Sequence, residues 1–305
     1  MSSPVDLNAP YAILGASGNT GSIVTNSLLS NRKNVRVIGR NAGRLQRFVS
    51  KGAEAFTADL SDAAALTKAL RGARAAYLML PAISSREDQE RESDAIAKAV
   101  KESEVRYAVN LSSYGAHAPK GTGPIEGLHS TEQKLNAISG LSVLHLRPAY
   151  FMENNLAAID MIQGMNMFGH ALLPDLKMPM IATRDVGAYA GQRLLELDFF
   201  GKQTRELLGE RELTMTEVSA VIGRAIGKPD LRYVQLSYDQ MQEGLTQAGF
   251  SPKKAAIYVE MFKAINEGVI AAREPRSPEN STPTSFEQFV HDVFAPAYQG
   301  KASAA

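Results

Sequence analysis

Seven consecutive residues carry the clearest chemical signal in the chain: Gly15-Ala16-Ser17-Gly18-Asn19-Thr20-Gly21. They follow a short apolar run, Tyr11-Ala12-Ile13-Leu14, and open a segment, residues 22–30, whose apolar spacing is helical. A glycine triad in isolation marks only a turn. Between a strand and a helix each glycine gains a task. The first permits a tight turn, the second lets backbone N–H groups approach a pyrophosphate, and the third lets helix and strand pack closely. Gly15, Ser17, Gly18, Asn19, Thr20 and Gly21 are therefore expected around a dinucleotide phosphate.

The next position to inspect is the end of the second strand, where an acidic residue would hold the ribose 2′-hydroxyl of NAD. Arg40 stands there instead, nineteen residues after Gly21, with Arg44 one helical turn further and no Asp or Glu between residues 36 and 47. A guanidinium can grip a 2′-phosphate with two parallel hydrogen bonds, which favours NADP(H) as cofactor; the alternative role for Arg40 is a solvated loop cation. Asp59, after the third strand, either approaches the adenine amino group or starts the helix that Ser61 is expected to cap. Leu80 and Pro81, at the end of the fourth strand, would let the cofactor lie across the sheet edge.

Other chemistries lack their residues. Cysteine is absent, so disulfides, thiolate metal sites and a cysteine nucleophile are excluded. The five histidines, at 117, 129, 145, 170 and 291, form no His-x-His or i, i+4 pair, so no metal is expected. No serine sits in a Gly-x-Ser-x-Gly elbow. Lys plus Arg is 33 against Asp plus Glu at 32, a net charge of +1 with no basic run, which argues against nucleic acid as a partner. The opening residues have no positive leader and their apolar stretch breaks at Gly15, so neither a membrane span nor a signal peptide is expected and the cytoplasm is the expected address. The oligomeric state is not legible.

The elements that must position these residues alternate. Apolar runs at 11–14, 35–38, 54–57, 75–80, 107–111 and 141–145 are separated by helical segments. That alternation predicts an α/β fold, a Rossmann-type doubly wound parallel sheet with helices on both faces. Residues 1–150 are expected to form the dinucleotide-binding domain, with a helix at 185–198 packing back on it. Residues 151–305 are expected to form a smaller, mostly helical subdomain for a substrate or partner. One helix is expected from about Ser130 to Ser139, stopping at Gly140. Later helix starts show capping boxes at Thr214 with Glu217, Ser237 with Gln240 and Thr284 with Glu287.

Seven stretches resemble the NmrA-like group of atypical short-chain dehydrogenases/reductases, which includes NADPH-dependent quinone reductases and redox-sensing regulators. They are GASGNTG at 15–21, VIGRN at 37–41, LSSYG at 111–115, LHSTEQKL at 128–135, LRPAYFMENN at 146–155 and, more weakly, ATRDVGAYA at 182–190 and TPTSFEQFV at 282–290. The wider superfamily catalyses with Tyr-x-x-x-Lys, in which an ammonium one helical turn away lowers the phenol pKa. None of the ten tyrosines here has Lys four positions on. At the corresponding helix, His129 takes the tyrosine place and Gln133 the lysine place. His129 is the candidate catalytic residue, either a proton donor or a packed, hydrogen-bonded histidine. The resemblance places Ser112, Pro148 and Tyr150 at the nicotinamide end of the cofactor, with Ser113, Tyr114, Phe151 and Asn154 in the substrate pocket. It implies direct hydride transfer to a quinone-like or azo acceptor without a protein acid. The alternative is a non-catalytic NADP(H) sensor that signals to a protein partner.

Overall fold

The computed structural model describes residues 8–81 and 85–300. Contacts divide it into two units, each discontinuous in sequence: unit 1 comprises residues up to Ser112, Gly127–Arg147 and Val186–Arg205, and unit 2 comprises Ser113–Glu126, Pro148–Asp185 and the residues from Glu206 onward.

Unit 1 is built on β1 (Tyr11–Leu14), α1 (Asn19–Ser30), β2 (Val35–Gly39), α2 (Ala42–Val49), β3 (Glu54–Thr57), α3 (Ala63–Leu70), β4 (Ala75–Met79), α4 (Arg86–Ser103), β5 (Tyr107–Leu111), α5 (Ile125–Asn136) and β6 (Ser142–Pro148). The first six strands pair in parallel in the order β6-β5-β4-β1-β2-β3. All four residues of β1 are buried, as are the first four of β4, whereas β3 at the sheet edge is largely exposed. Central strands that are apolar throughout suit a sheet covered on both faces. The chain reverses direction of winding between β1 and β4, and ligands of such sheets bind beyond the strand ends at that point.

Two helix readings need correction. The helix expected from about Ser130 runs from Ile125 to Asn136. Gly127, inside it, is a contact and not a break: a Cβ there would meet the Gln89 side chain of α4 at 2.7 Å. Helix α3 is capped by Asp62, whose carboxylate accepts from Ala65 N–H at 2.9 Å, and not by Ser61.

Unit 2 contains β7 (Tyr150–Phe151), a 3-10 turn (Met152–Ala158), α6 (Ile159–Met165), β8 (Phe168–His170) and β9 (Met178–Ile181). Helix α7 (Thr183–Glu196) then carries the chain into unit 1, and β10 (Lys202–Leu207) joins the sheet beside β6. Gly187 and Gly191 let α7 approach α1: a Cβ on Gly187 would stand 2.6 Å from that of Ile23. Unit 2 resumes with β11 (Glu212–Leu213), α8 (Met215–Ala225), β12 (Tyr233–Gln235), α9 (Tyr238–Gln247) and α10 (Pro252–Asn266), and ends with α11 (Phe286–Phe289), a π turn and α12 (Ala295–Tyr298). The capping boxes at Thr214 and Ser237 both form. The one at Thr284 does not, because its hydroxyl donates to Asp185 at 2.6 Å and Ser285 caps α11 in its place.

Candidate functional site

In unit 1 the glycine loop closes the end of β1. Gly15 has φ +65°, a left-handed conformation that glycine adopts freely, and a Cβ on it would meet Met79 Sδ at 2.8 Å. A Cβ on Gly21 would lie 2.3 Å from the Gly15 carbonyl oxygen, so this glycine sets the close approach of α1 to the loop. Gly18 is the N-cap of α1, and no side chain caps that helix. The first N–H groups of α1, at Asn19 and Thr20, thus keep their donors for an anion, with the helix dipole favouring negative charge there. Thr20 itself is buried, and its hydroxyl accepts from the Tyr77 hydroxyl at 2.8 Å, which ties the start of α1 to β4. Ser17 is half-buried, and its carbonyl accepts from Arg47 at 3.3 Å.

Arg40 and Arg44 are exposed at the end of β2 and the start of α2, and neither guanidinium has a hydrogen-bond or ion-pair partner among the described residues. Asp59 is also exposed, but one of its oxygens accepts from both the N–H and the hydroxyl of Ser61. Those bonds, with a smaller contribution from Arg40, hold its carboxyl below the usual range. Leu80 is buried and Pro81 half-buried just beyond β4. A turn that only glycine fits, an uncapped helix start and two unpaired guanidiniums together suit the pyrophosphate and 2′-phosphate of a dinucleotide.

His129 lies half-buried on α5, and Gln133 is exposed one turn on. Ser112 has a partner the sequence did not announce. Its hydroxyl donates to Glu132 Oε1 at 2.6 Å, and Arg147 binds the same carboxylate through Nε at 2.9 Å and Nη2 at 2.5 Å. Glu132 is 1% exposed, so the pair is a buried, bidentate lock between α5 and β6. Because its proton is committed to Glu132, Ser112 can accept a hydrogen bond from a ligand but has none to donate.

Unit 2 contains a cavity of about 500 Å³. Tyr150 and Asn154 both line it, while Ser113, Tyr114, Phe151 and Pro148 do not. Tyr150 is buried, its phenol pushed up by burial and hydrogen-bonded to Asn154. Tyr114 is buried, its hydroxyl without a partner among the described residues, and its phenol is likewise pushed up. Ser113 and Phe151 are half-buried and Pro148 is buried. Much of the opposite wall comes from residues without an earlier role: Met161 of α6, Met241 and Leu245 of α9, and Tyr258 and Phe262 of α10. A signal for α9 exists. Met241, Gly244, Leu245 and Ala248 follow helical spacing, yet no residue of that helix is buried, so its apolar stripe faces the cavity instead of a core.

The polar groups on the wall are few. Glu153 is raised above the usual carboxylate range by burial, and its oxygens accept from the Thr183 N–H and hydroxyl. Asn155, Gln240 and His170 also line the cavity, and His170 Nδ1 accepts from Leu172 N–H at 3.2 Å, with its ring 4.5 Å from that of Phe262 between centroids. Among the described residues no Lys or Arg lines the cavity. Among the described residues no His, Asp and Glu cluster is placed to hold a metal ion, and no helix is long and apolar enough to cross a membrane.

Strand order, glycine turn and uncapped helix define a nucleotide-binding protein of the doubly wound α/β class. More narrowly, the chain belongs to the NmrA-like family, whose model matches residues 10–271. It is 27% identical over 267 residues to the (4-alkanoyl-5-oxo-2,5-dihydrofuran-3-yl)methyl phosphate reductase of Streptomyces griseus subsp. griseus, covering 88% of this chain and 91% of that one. It is 28% identical over 235 residues to quinone oxidoreductase 2 of Escherichia coli K12, covering 76% and 78% of the two chains. The crystal structure of the NADPH-dependent quinone oxidoreductase of Escherichia coli with NADPH superposes with a TM-score of 0.80 at 24% identity, over 93% of this chain and 99% of that one.

Proposed function

We propose that this chain is an NADPH-dependent reductase that passes hydride to a neutral, apolar, quinone-like acceptor. The observation that carries the reading is the cavity of unit 2: about 500 Å³, walled by methionine and aromatic side chains, with Glu153 on the wall and no Lys or Arg to balance an anion. Its volume lies in the range of small-molecule pockets, and its charge disfavours a phosphorylated substrate. The cofactor NADP(H) binds at the glycine loop of unit 1, with Arg40 and Arg44 on the 2′-phosphate. When bound, NADPH supplies the hydride. The chain's residues hold the two reactants and exclude water, and they do not need to supply a strong acid. A reduced quinone is a delocalised anion that takes its protons from water, so His129 and Gln133 can stand where other members of the superfamily carry Tyr and Lys. Relatives named as a quinone oxidoreductase and as the reductase of a dihydrofuranylmethyl phosphate support reduction as the class of reaction, and it is the cavity of this chain that favours the neutral acceptor over the phosphorylated one.

The missing Tyr–Lys pair also favours a second reading, an NADP(H) sensor that turns nothing over and signals to a protein partner. NADPH oxidation against a panel of quinones, with NADH as control, separates the two. Oxidation of NADPH well above that of NADH supports the reductase, and tight NADPH binding with no acceptor reduced supports the sensor.

A further inference from the structure

Among the polar groups on the cavity wall, most already have protein partners. Tyr150 is bonded to Asn154, Glu153 to Thr183, and Gln240 turns its side-chain oxygen to the Ser237 N–H at the cap of α9. Asn155 gives its side-chain N–H to the Met152 carbonyl, and what it leaves unpaired among the described residues is an acceptor, its side-chain oxygen, not a donor. His170, on β8, differs. Nδ1 accepts the Leu172 N–H, which obliges the neutral ring to carry its proton on Nε2, and Nε2 has no partner among the described residues. Neutrality is secured by burial, which pushes the imidazole down to about 4. Phe262 packs against the ring, and the Tyr233 hydroxyl shares its one proton between the carbonyls of His170 and Leu172, at 2.8 and 2.5 Å, which holds the backbone on both sides.

On the reading that this cavity takes the acceptor, we infer that His170 recognises it by donating a hydrogen bond from Nε2–H to a carbonyl oxygen of a neutral ring. A donor left unpaired when an apolar occupant displaces water costs free energy, so the cavity discriminates in favour of occupants that carry an oxygen at that place and against hydrocarbons of the same shape. A neutral donor also polarises a quinone oxygen without placing a charge in the cavity.

The test uses the full chain with NADP⁺ present, titrated with 2-methyl-1,4-naphthoquinone and with 2-methylnaphthalene, which has the same rings and no oxygens. In His170→Asn the side-chain oxygen can still take the Leu172 N–H, but the donor no longer reaches the place of Nε2. Quinone binding should weaken by about tenfold while hydrocarbon binding stays within about twofold. His170→Gln, whose amide N–H reaches that place, should restore part of the preference. In protein labelled with ¹⁵N-histidine, the His170 Nε2–H signal should move with the quinone and stay put with the hydrocarbon.

Equal weakening of both probes, or an unmoved Nε2–H signal, would overturn the inference whether or not His170→Asn folds well. If the parent binds neither probe, the inference falls together with the acceptor reading. A parent that binds the quinone through His170 but oxidises no NADPH keeps the inference and removes the reductase reading. A parent that reduces the quinone with unchanged affinity in His170→Asn does the reverse.

Discussion

In each unit desolvation pushes one imidazole down to about 4: His145, buried in unit 1, and His170, half-buried in unit 2. Their surroundings differ in one respect. In unit 1, His145 on β6 has both ring nitrogens paired: Nδ1 accepts from the Asn110 side chain at 3.1 Å, and Nε2 donates to the Asn136 side-chain oxygen at 3.0 Å. His170 in unit 2 lines a cavity and has one nitrogen paired and the other without a partner among the described residues. A histidine satisfied on both sides is part of the framework, here joining β5, α5 and β6. One satisfied on a single side keeps a donor for something that is not protein. The same contrast holds for the units as wholes, since unit 1 offers backbone N–H groups and exposed cations to a phosphate, whereas unit 2 offers an apolar wall with few hydrogen-bonding groups.

The largest expected effect comes from breaking the framework histidine. His145→Leu would leave the buried Asn110 and half-buried Asn136 amides without their partner, and should lower stability by roughly 2–4 kcal/mol in thermal or urea unfolding. His170→Asn, in contrast, should stay within about 1 kcal/mol of the parent. Acid gives a second test of the framework histidine. His145 has its folded pKa depressed from 6.5 to about 4, so the unfolded chain binds more protons between those values. Its stabilising effect is full above pH 6.5 and is lost as the pH falls to about 4, with a magnitude of about 3 kcal/mol at the limit. The stability of His145→Leu should depend less on pH across that window. A slope identical to the parent's would show that this histidine titrates normally.

A smaller effect is expected at the phosphate end of unit 1. Arg40→Ala should weaken NADPH by about 1.5–3 kcal/mol and leave NADH nearly unchanged, measured by direct titration. Equal losses for both cofactors would mean that Arg40 only solvates its loop. The smallest is expected at His129. If the acceptor takes its protons from water, His129→Ala should keep most of its turnover, whereas a fall of roughly 10²-fold or more, with NADPH affinity unchanged, would make this side chain a proton donor.

Legibility in the sequence followed the range of the interactions. The six parallel strands and the glycine loop are local patterns, and their apolar runs and turn chemistry suffice to place them. The caps show where local reasoning stops. Thr214 and Ser237 cap as their spacing implies, but Thr284, with equally suitable spacing, is bonded to Asp185, ninety-nine positions away. Likewise Ser112, Glu132 and Arg147 look unrelated in the chain and meet only because α5 lies beside the ends of β5 and β6. Tyr150 and Asn154 were accessible through a family motif. Met241 and Leu245 were not, because an apolar stripe at helical spacing reads the same whether it faces a core or a cavity.

The central claim is that a neutral, apolar acceptor is reduced at the expense of NADPH. It is tested most directly by the ratio of kcat/KM for 2-methyl-1,4-naphthoquinone to that for 1,2-naphthoquinone-4-sulfonate, with NADPH as donor and each rate corrected for the quinone's own reactivity toward NADPH. A cavity with Glu153 on its wall and no cation predicts a ratio well above one, on the order of tenfold or more for an anion brought near a carboxylate without a counter-charge. A ratio at or below one, or NADPH bound tightly with neither quinone reduced, would contradict it.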